Sequence, residues 1–542
     1  MELFVTLKYL LLNLRKNFKK LRYLPGCGHL TEVIYLFGFY FNTELLGNNG
    51  YSCQRQRRIK IFMKKKYTVI LLTIPILYFY LSLFRNALVD DVYITLSYVK
   101  TILNTGTWGI YPGITANTAT SPLNIILLTL VSFLTGSPVE SAIILTLVCF
   151  VLILFFLTEI SLQIFSAGIY GFLCGLLLIF NPLLLSTIGL ESFLFIAIFI
   201  ISLKLFISKR WNLFALSMAL LTLSRADGIL IFIICLFFVP TFKNKGRLIL
   251  LYFLFVAPWY LSSWIWLGSF VPETLILKKW QNNWWGWSFS NGLYLYYKKY
   301  FWETILSFSL IPFLLFLPFA KMKNYYPVIF LAIVGLMHFI AYCLLHVPPF
   351  HWYYTTEVAV VILISVYTVA AIVENREKLF FRKRLFKNFL LSFFIIEITA
   401  CCFIIFHNRL FQDEMPIHTN WAKPEQYKQV GLWLKKNYYK ASIFLDGELG
   451  AMAYYSDCYL WNEFTDRSII AANIKKNMHS SGLRSVIYKI NFVFFPLNQT
   501  RPEYSYRLKV FKDRNNIDEN NIKKWKTSSR WFPNSLIVFS KY

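Results

Sequence analysis

The chain has 542 residues, of which 57% are hydrophobic and only 15% charged, and its mean hydropathy is +0.51. That balance excludes an ordinary soluble domain and makes this a polytopic membrane protein. The net charge of +28 sits in short loops between apolar runs and in the terminal segments, so it reads as topology plus attraction to anionic lipid rather than nucleic-acid binding.

Residues 1–62 hold a basic amphipathic opening (Leu7 to Leu24) and an apolar patch, Val33 to Tyr40, too short to span a bilayer. Met63-Lys64-Lys65-Lys66, followed at once by the run Tyr67 to Phe84, looks like a natural N-terminus. Residues 1–62 are therefore read as an extension, a start-site artefact, with no function assigned.

Just beyond that run come Asp90 and Asp91, two adjacent carboxylates at a membrane exit, where charge is costly unless it has a use. The next residues, Tyr93, Tyr98 and Lys100 among Val92, Ile94, Leu96 and Val99, have the mix of an amphipathic helix lying along the membrane surface. Further apolar runs follow at 122–136, 140–158, 164–181, 193–208, 211–224, 228–241, 247–267, 303–320, 326–346, 356–373 and 388–406. With 67–84 that makes twelve candidates. Basic clusters at Arg57 to Lys66, Lys209-Arg210, Lys243 to Arg247, Lys321 to Lys323 and Arg376 to Lys387 are assigned to the cytoplasmic side. Glu191 shares the external side with Asp90 only if one of three intervening segments does not cross. The run 122–136, bounded by Pro122 and Gly136-Ser137-Pro138, is the shortest and is expected to be re-entrant, leaving about 11 spans.

With that orientation the unusual polar groups collect on the external face: Asp90 and Asp91, Ser121, Glu191, Arg225 and Asp227, the stretch Gly268 to Lys279, and His351 to Tyr354. The runs flanking Arg225 are short, so its tip is expected below the outer surface, where an arginine wants an anionic partner; a lipid phosphate fits, and Asp227 or Glu191 are the structural alternatives. Aromatic residues crowd the loop from Trp280 to Trp302, as a membrane belt or as stacking surfaces for sugar rings. Six of the nine cysteines (Cys149, Cys174, Cys235, Cys343, Cys401 and its neighbour Cys402) lie inside apolar runs, which gives neither a disulfide framework nor a zinc spacing.

After His407 the composition turns polar. Pro424 to Asn437 reads as a helix, Ser442 to Asp446 as a strand and Arg467 to Ser480 as a helix, with strands at Asn491 to Phe495, Tyr504 to Phe511 and Ser535 to Ser540. Residues 411–542 are thus expected to form a small external α/β domain following a transmembrane domain at 63–410. Asp446-Gly447-Glu448-Leu449-Gly450 reads as a strand-to-helix turn first and an acceptor site second.

Five ordered pieces, Asp90-Asp91-Val92-Tyr93-Ile94-Thr95, Thr120-Ser121-Pro122-Leu123, Gly189-Leu190-Glu191-Ser192, Ser224-Arg225-Ala226-Asp227-Gly228 and Gly268-Ser269-Phe270-Val271-Pro272-Glu273-Thr274 with Lys278, resemble the GT-C membrane glycosyltransferases. The resemblance is to the branch with an Asp-Asp first loop that includes the mycobacterial terminal arabinofuranosyltransferases and related envelope enzymes. It implies an all-α polytopic GT-C membrane fold in a bacterial inner membrane. It also implies transfer of a sugar, with inversion, from a polyprenyl-phosphate-linked donor to a glycan, glycolipid or protein acceptor on the periplasmic side. On that resemblance Asp90 is the general base, supported by Asp91; Arg225, Asp227, Lys278, Lys279, His351 and Tyr353 contact the donor; Tyr93, Ser121, Glu191 and Glu273 support the site. No cofactor is assigned; a divalent cation at Asp90 and Asp91 stays open, although the two supply too few ligands alone, and no metal residues are assigned. Two other classes fit many spans with few charges: a lipid-linked-sugar transporter or flippase, and a non-catalytic envelope assembly protein. The first is expected to show internal repeats and broken midplane helices, of which the sequence gives no sign.

Overall fold

The computed structural model describes residues 53–274, 277, 286–320, 325–374, 383–407, 413–511 and 521–542. Most of the N-terminal extension, Lys278, Lys279, Trp280 to Trp285 and much of the basic stretch after Arg376 lie outside the described residues. The chain divides into two compact units, Met1–Leu77 and Tyr78–Tyr542. What is described of the first is helical, the opening part of α1 (Cys53–Ser82).

In the second unit, α2 (Asp90–Thr105) is followed by α3 (Pro122–Thr135), α4 (Pro138–Phe165), α5 (Ile169–Ile179) and a single turn, α6 (Pro182–Leu185). Then come α7 (Ser192–Ile207), α8 (Trp211–Ser224), α9 (Gly228–Phe238) and α10 (Phe242–Ser262), which runs on as a π turn to Leu267. The bundle is completed by α11 (Phe289–Lys299), α12 (Phe301–Phe308), α13 (Tyr326–Leu345), α14 (Thr355–Glu374) and α15 (Lys383–His407). Pro312 and Pro318 explain why α12 gives way to a 3₁₀ stretch, Ile311–Phe319. Among the described residues five helices are long and apolar enough to cross a membrane, and seven shorter apolar helices accompany them. Together they coincide with the twelve apolar runs of the sequence.

Short turns make α7 to α10 run back and forth. Glu191, Arg225 and Gly268 therefore share one end of the bundle, and Lys209-Arg210 and Lys243 to Arg247 the other. The carboxylate of Glu140, at the start of α4, pairs with Arg85 just before α2. That pair sets the C-terminal end of α3 near the segment leading into α2.

The C-terminal part holds a five-stranded sheet of order β2-β1-β3-β5-β4, built from β1 (Ser442–Asp446), β2 (Tyr459–Trp461), β3 (Tyr506–Phe511), β4 (Asn521–Thr527) and β5 (Ser535–Lys541). β1 runs parallel to β2 and β3, whereas β5 is antiparallel to β3 and β4. Its helices are α16 (Pro424–Asn437), α17 (Gly450–Ser456), α18 (Arg467–Met478) and α19 (Leu483–Asn491). One expectation fails: Asn491 to Phe495 is no strand, because the aromatic run closes the end of α19 and drives Phe492 and Phe495 into a cluster with Leu277, Ile470 and Ile474.

α2 does not lie free on a surface. It is wedged between α3 and α17, with Val92, Leu96, Tyr98 and Val99 fully buried. Along its other flank, Lys100 reaches the carboxylate of Asp457 at 2.5 Å, and Tyr111 beyond it donates to the carbonyl of Leu460 at 2.6 Å.

Candidate active site

Asp90 opens α2, and its side chain does not cap its own helix. It points into the C-terminal domain, where the amide of Gly450 donates to Oδ2 at 2.6 Å and that of Ala451 to Oδ1 at 2.7 Å. The approach is close enough to dictate the residue at 450: a Cβ there would stand 1.9 Å from the carbonyl oxygen of Asp90. The turn that delivers Gly450 also delivers Glu448. Its carboxylate accepts from Asn420 Nδ2 at 2.8 Å, from the amide of Trp421 at 3.0 Å and from the hydroxyl of Tyr427. Asn420 closes the arrangement by accepting from the backbone amide of Asp90 through its Oδ1 at 3.2 Å.

Two carboxylates, Asp90 buried and Glu448 half-buried, thus sit in one cluster. Burial pushes the Asp90 carboxyl up, against the pull of its two amide donors. Burial pushes Glu448 further, and the charge of Asp90 adds to the rise. Both carboxyls thus bind a proton more readily than in water, chiefly through burial. Asp91, one residue on, is half-buried. Tyr93 packs its ring against those of Tyr454 and Tyr455, both at 5.6 Å, which fixes α2 against α17.

The segment 181–192 joins this cluster to a second one. Gly189 (φ +88°) packs so tightly on α2 that a Cβ would come within 2.8 Å of the Val92 side chain. Two residues later Glu191 lies near enough for its charge to act on Arg225. Arg225 is 5% exposed and donates to Asp227 Oδ2 at 2.8 Å, to the Tyr342 hydroxyl at 3.2 Å and to the Trp352 carbonyl at 2.9 Å. Asp227 Oδ2 also faces His338 Nε2 at 3.0 Å, and His338 Nδ1 faces Glu357 Oε1 at 2.6 Å. Arg225, Asp227, His338 and Glu357 are thus linked in one buried chain of contacts. Tyr353 stands beside it, its ring 5.3 Å from that of Tyr342. His351 is buried and meets the Ser186 carbonyl at 3.3 Å, while Ser186 Oγ accepts from the amide of Ile417.

The structure therefore brings Asp90, Asp91, Tyr93, Glu191, Arg225, Asp227, His351 and Tyr353 to one end of the bundle, under the C-terminal domain. Of the two partners the sequence left open for Arg225 besides a ligand, Asp227 is the one in contact. Ser121 is buried at the head of α3, its hydroxyl without a hydrogen-bond partner. Glu273 stands apart from both clusters in its bonding: Oε1 pairs with Arg467 of α18 at 2.8 Å and Oε2 is buried unpaired, so it fastens the loop after α10 to the C-terminal domain. Among the described residues no group of three or more His, Cys, Asp or Glu side chains is placed to hold a metal ion.

Sequence reasoning passed over Asn420, Tyr427, Tyr342, His338, Glu357 and Arg467, and read Glu448 as part of a turn. A signal existed for two of them: His338 and Glu357 are ionisable residues inside apolar runs, a pattern that marks a site by default.

No family model matches the sequence, and no curated protein matches it. Solved structures do match. ArnT from Cupriavidus metallidurans, bound to undecaprenyl phosphate, superposes with a TM-score of 0.55 at 9% identity, over 87% of this chain and 97% of that one. The chain has the GT-C fold. The likeness to GT-C structures extends to the apo state of the same ArnT (TM-score 0.53, 10% identity, 88% of this chain and 98% of that one). The mycobacterial arabinofuranosyltransferase AftD also matches, at TM-score 0.46 and 12% identity over 87% of this chain and 40% of that one. The resemblance read from the five motifs thus holds at the level of the GT-C fold.

Proposed function

We propose that this chain is a membrane glycosyltransferase that moves a sugar from a polyprenyl-phosphate-linked donor to an envelope glycan, glycolipid or protein acceptor, with inversion at the anomeric carbon. The observation that carries the reading is the placement of Asp90: a buried carboxylate of raised proton affinity at the mouth of a GT-C fold that aligns almost end to end with an enzyme bound to a polyprenyl phosphate.

In this mechanism the acceptor hydroxyl approaches Asp90. Each carboxylate oxygen spends one lone pair on a backbone amide and keeps another, which takes the hydroxyl proton as the acceptor oxygen attacks the anomeric carbon. The bond to the phosphate oxygen breaks on the opposite face and the polyprenyl phosphate departs. Burial matters twice, raising the basicity of Asp90 toward the working pH and excluding bulk water that would compete as acceptor. Glu448, beside it, accepts from Asn420, Trp421 and Tyr427 and so holds the turn that presents the two amides to Asp90. Arg225 meets the donor phosphate by exchanging Asp227 for it, and His338 then carries the charge of Asp227. Lys278 and Lys279 extend the donor contact, and the external face is the one that bears the C-terminal domain.

The test is transfer itself: membranes carrying the chain, a polyprenyl-phosphate sugar and extracted acceptor should give product, and cells lacking the gene should lose one surface glycan. Transport of the lipid-linked sugar across vesicles without any transfer would instead make it a flippase.

A further inference from the structure

Helix α19 is built the wrong way round for a helix of a soluble domain. Leu483, Val486, Ile487 and Ile490, spaced i, i+3, i+4 and i+7, form one stripe, and all four are 50% to 75% exposed, as are Val493 and Phe494 beyond the helix end. The opposite side is the one that packs: Ser485 is buried, donating to the Met478 carbonyl at 2.6 Å, and Tyr488 rests on the cluster of Leu277, Ile470 and Phe492. Arg484 and Lys489 flank the stripe, and the segment 483–495 has no acidic residue.

The position of the stripe says what covers it. The end of α19 is joined to the end of α10: Trp264 Nε1 donates to the Ile490 carbonyl at 2.9 Å, the amide of Val271 donates to Asn491 Oδ1 at 2.8 Å, and the ring of Trp264 meets that of Phe494 edge-on at 5.3 Å. α10 belongs to the span Phe242–Leu267, which lies on the outside of the bundle with only 22% of its apolar window buried. Its exposed flank, Leu250, Phe253, Leu254 and Leu261, ends in Ile265 and Trp266, the aromatic finish of a helix leaving the hydrocarbon. The exposed stripe of α19 continues that lipid-facing surface without a break.

We propose that α19 with Val493 and Phe494 is an interfacial membrane anchor, laying its apolar stripe into the headgroup boundary beside the exit of α10 while Arg484 and Lys489 meet anionic lipid headgroups. A basic helix with a wide apolar face and no acidic residue is the pattern that partitions to such a surface. The anchor sets the height of the C-terminal domain over the bilayer, and through Glu273 and Arg467 the height of the loop after α10.

The full-length chain, carrying a bimane label on Ile487→Cys or Ile490→Cys and reconstituted in vesicles of phosphatidylethanolamine and phosphatidylglycerol, tests this. Lys436→Cys on α16 serves as the aqueous reference, and the unlabelled positions of the natural chain set the background. Both apolar-face labels should emit blue-shifted, be quenched by a nitroxide on the lipid near the headgroup and resist aqueous iodide, the reverse of the reference. Replacing phosphatidylglycerol by neutral lipid should lower the nitroxide quenching. Quenching by iodide as at Lys436 would overturn the proposal. Protection from both quenchers would overturn it equally, since it would mean that protein covers the stripe.

Discussion

Asp90→Asn is the substitution that asks most of the site, because the structure separates its chemical effect from its structural one. Asparagine keeps the shape of the side chain but presents one oxygen and one N–H₂ to the two amides of Gly450 and Ala451, which stand at 2.6 and 2.7 Å. One charged hydrogen bond is lost and a donor is set against a donor. A bond of this type is worth about 1.5 to 3 kcal/mol, and the relief of a buried charge offsets part of it. The grip of the C-terminal domain on α2 should therefore weaken by about 1 to 3 kcal/mol, seen as a lower unfolding midpoint of the purified protein in detergent. The chemical effect is larger: without a general base, transfer should fall by about 10² to 10⁴, measured in proteoliposomes with polyprenyl-phosphate sugar and acceptor at a temperature where both proteins remain folded. Donor binding should persist. Asp91→Asn should cost less on both counts, since neither of these two amides is bonded to Asp91. Full transfer by Asp90→Asn at normal protein level would remove Asp90 as the base, and loss confined to Asp91→Asn would move the role along by one residue.

Other outcomes follow from neighbouring contacts. Glu448 is raised to about 8 by burial and by the charge of Asp90; a carboxyl raised on folding leaves stability intact below its ordinary pKa of about 4.5 and erodes it as pH climbs toward 8. The unfolding midpoint should thus fall between pH 5 and 8, and Glu448→Gln should flatten that slope; an unchanged slope would refute the pairing. Arg225→Ala leaves Asp227 with His338 and Tyr342 but without its guanidinium, and should destabilise by about 1.5 to 3 kcal/mol, whereas Arg225→Ala with Asp227→Ala should regain stability but not donor affinity; recovery of both would make Arg225 purely structural. Gly450→Ala drives a methyl group into the Asp90 carbonyl and should abolish transfer while the sheet remains folded; wild-type activity would show that the contact is dispensable. Reporter fusions or cysteine labelling should place residue 450 outside and Arg247 inside, and a cytoplasmic residue 450 would sink the orientation.

The apolar runs were legible because spanning helices must be long and unbroken in hydropathy, and their order gave the bundle nearly residue for residue. Pro424 to Asn437 and Ser442 to Asp446 were equally plain, marked by a proline start and by alternation. Asn491 to Phe495 misled because an exposed aromatic run has the composition of a strand. Asp90 announced itself through cost, a charge at a membrane exit. Glu448 did not: within Asp446-Gly447-Glu448 nothing local distinguishes a turn carboxylate from one that accepts from Asn420, Trp421 and Tyr427 beside Asp90. Arg225 gave its burial correctly, through the shortness of its flanking runs, but His338 and Glu357 declare their connection to Asp227 only when α13 and α14 are packed beside it.

The bonds between Asp90 and the amides of Gly450 and Ala451 span 360 and 361 residues of chain. At roughly 5 to 20 residues per second, the ribosome needs about 20 to 70 s to make what lies between them. Until the C-terminal domain is made, neither of these two bonds can form. A chain that stops early, or whose last quarter misfolds, keeps every membrane helix and yet never acquires an aligned Asp90. Completion of synthesis is thereby coupled to the alignment of Asp90.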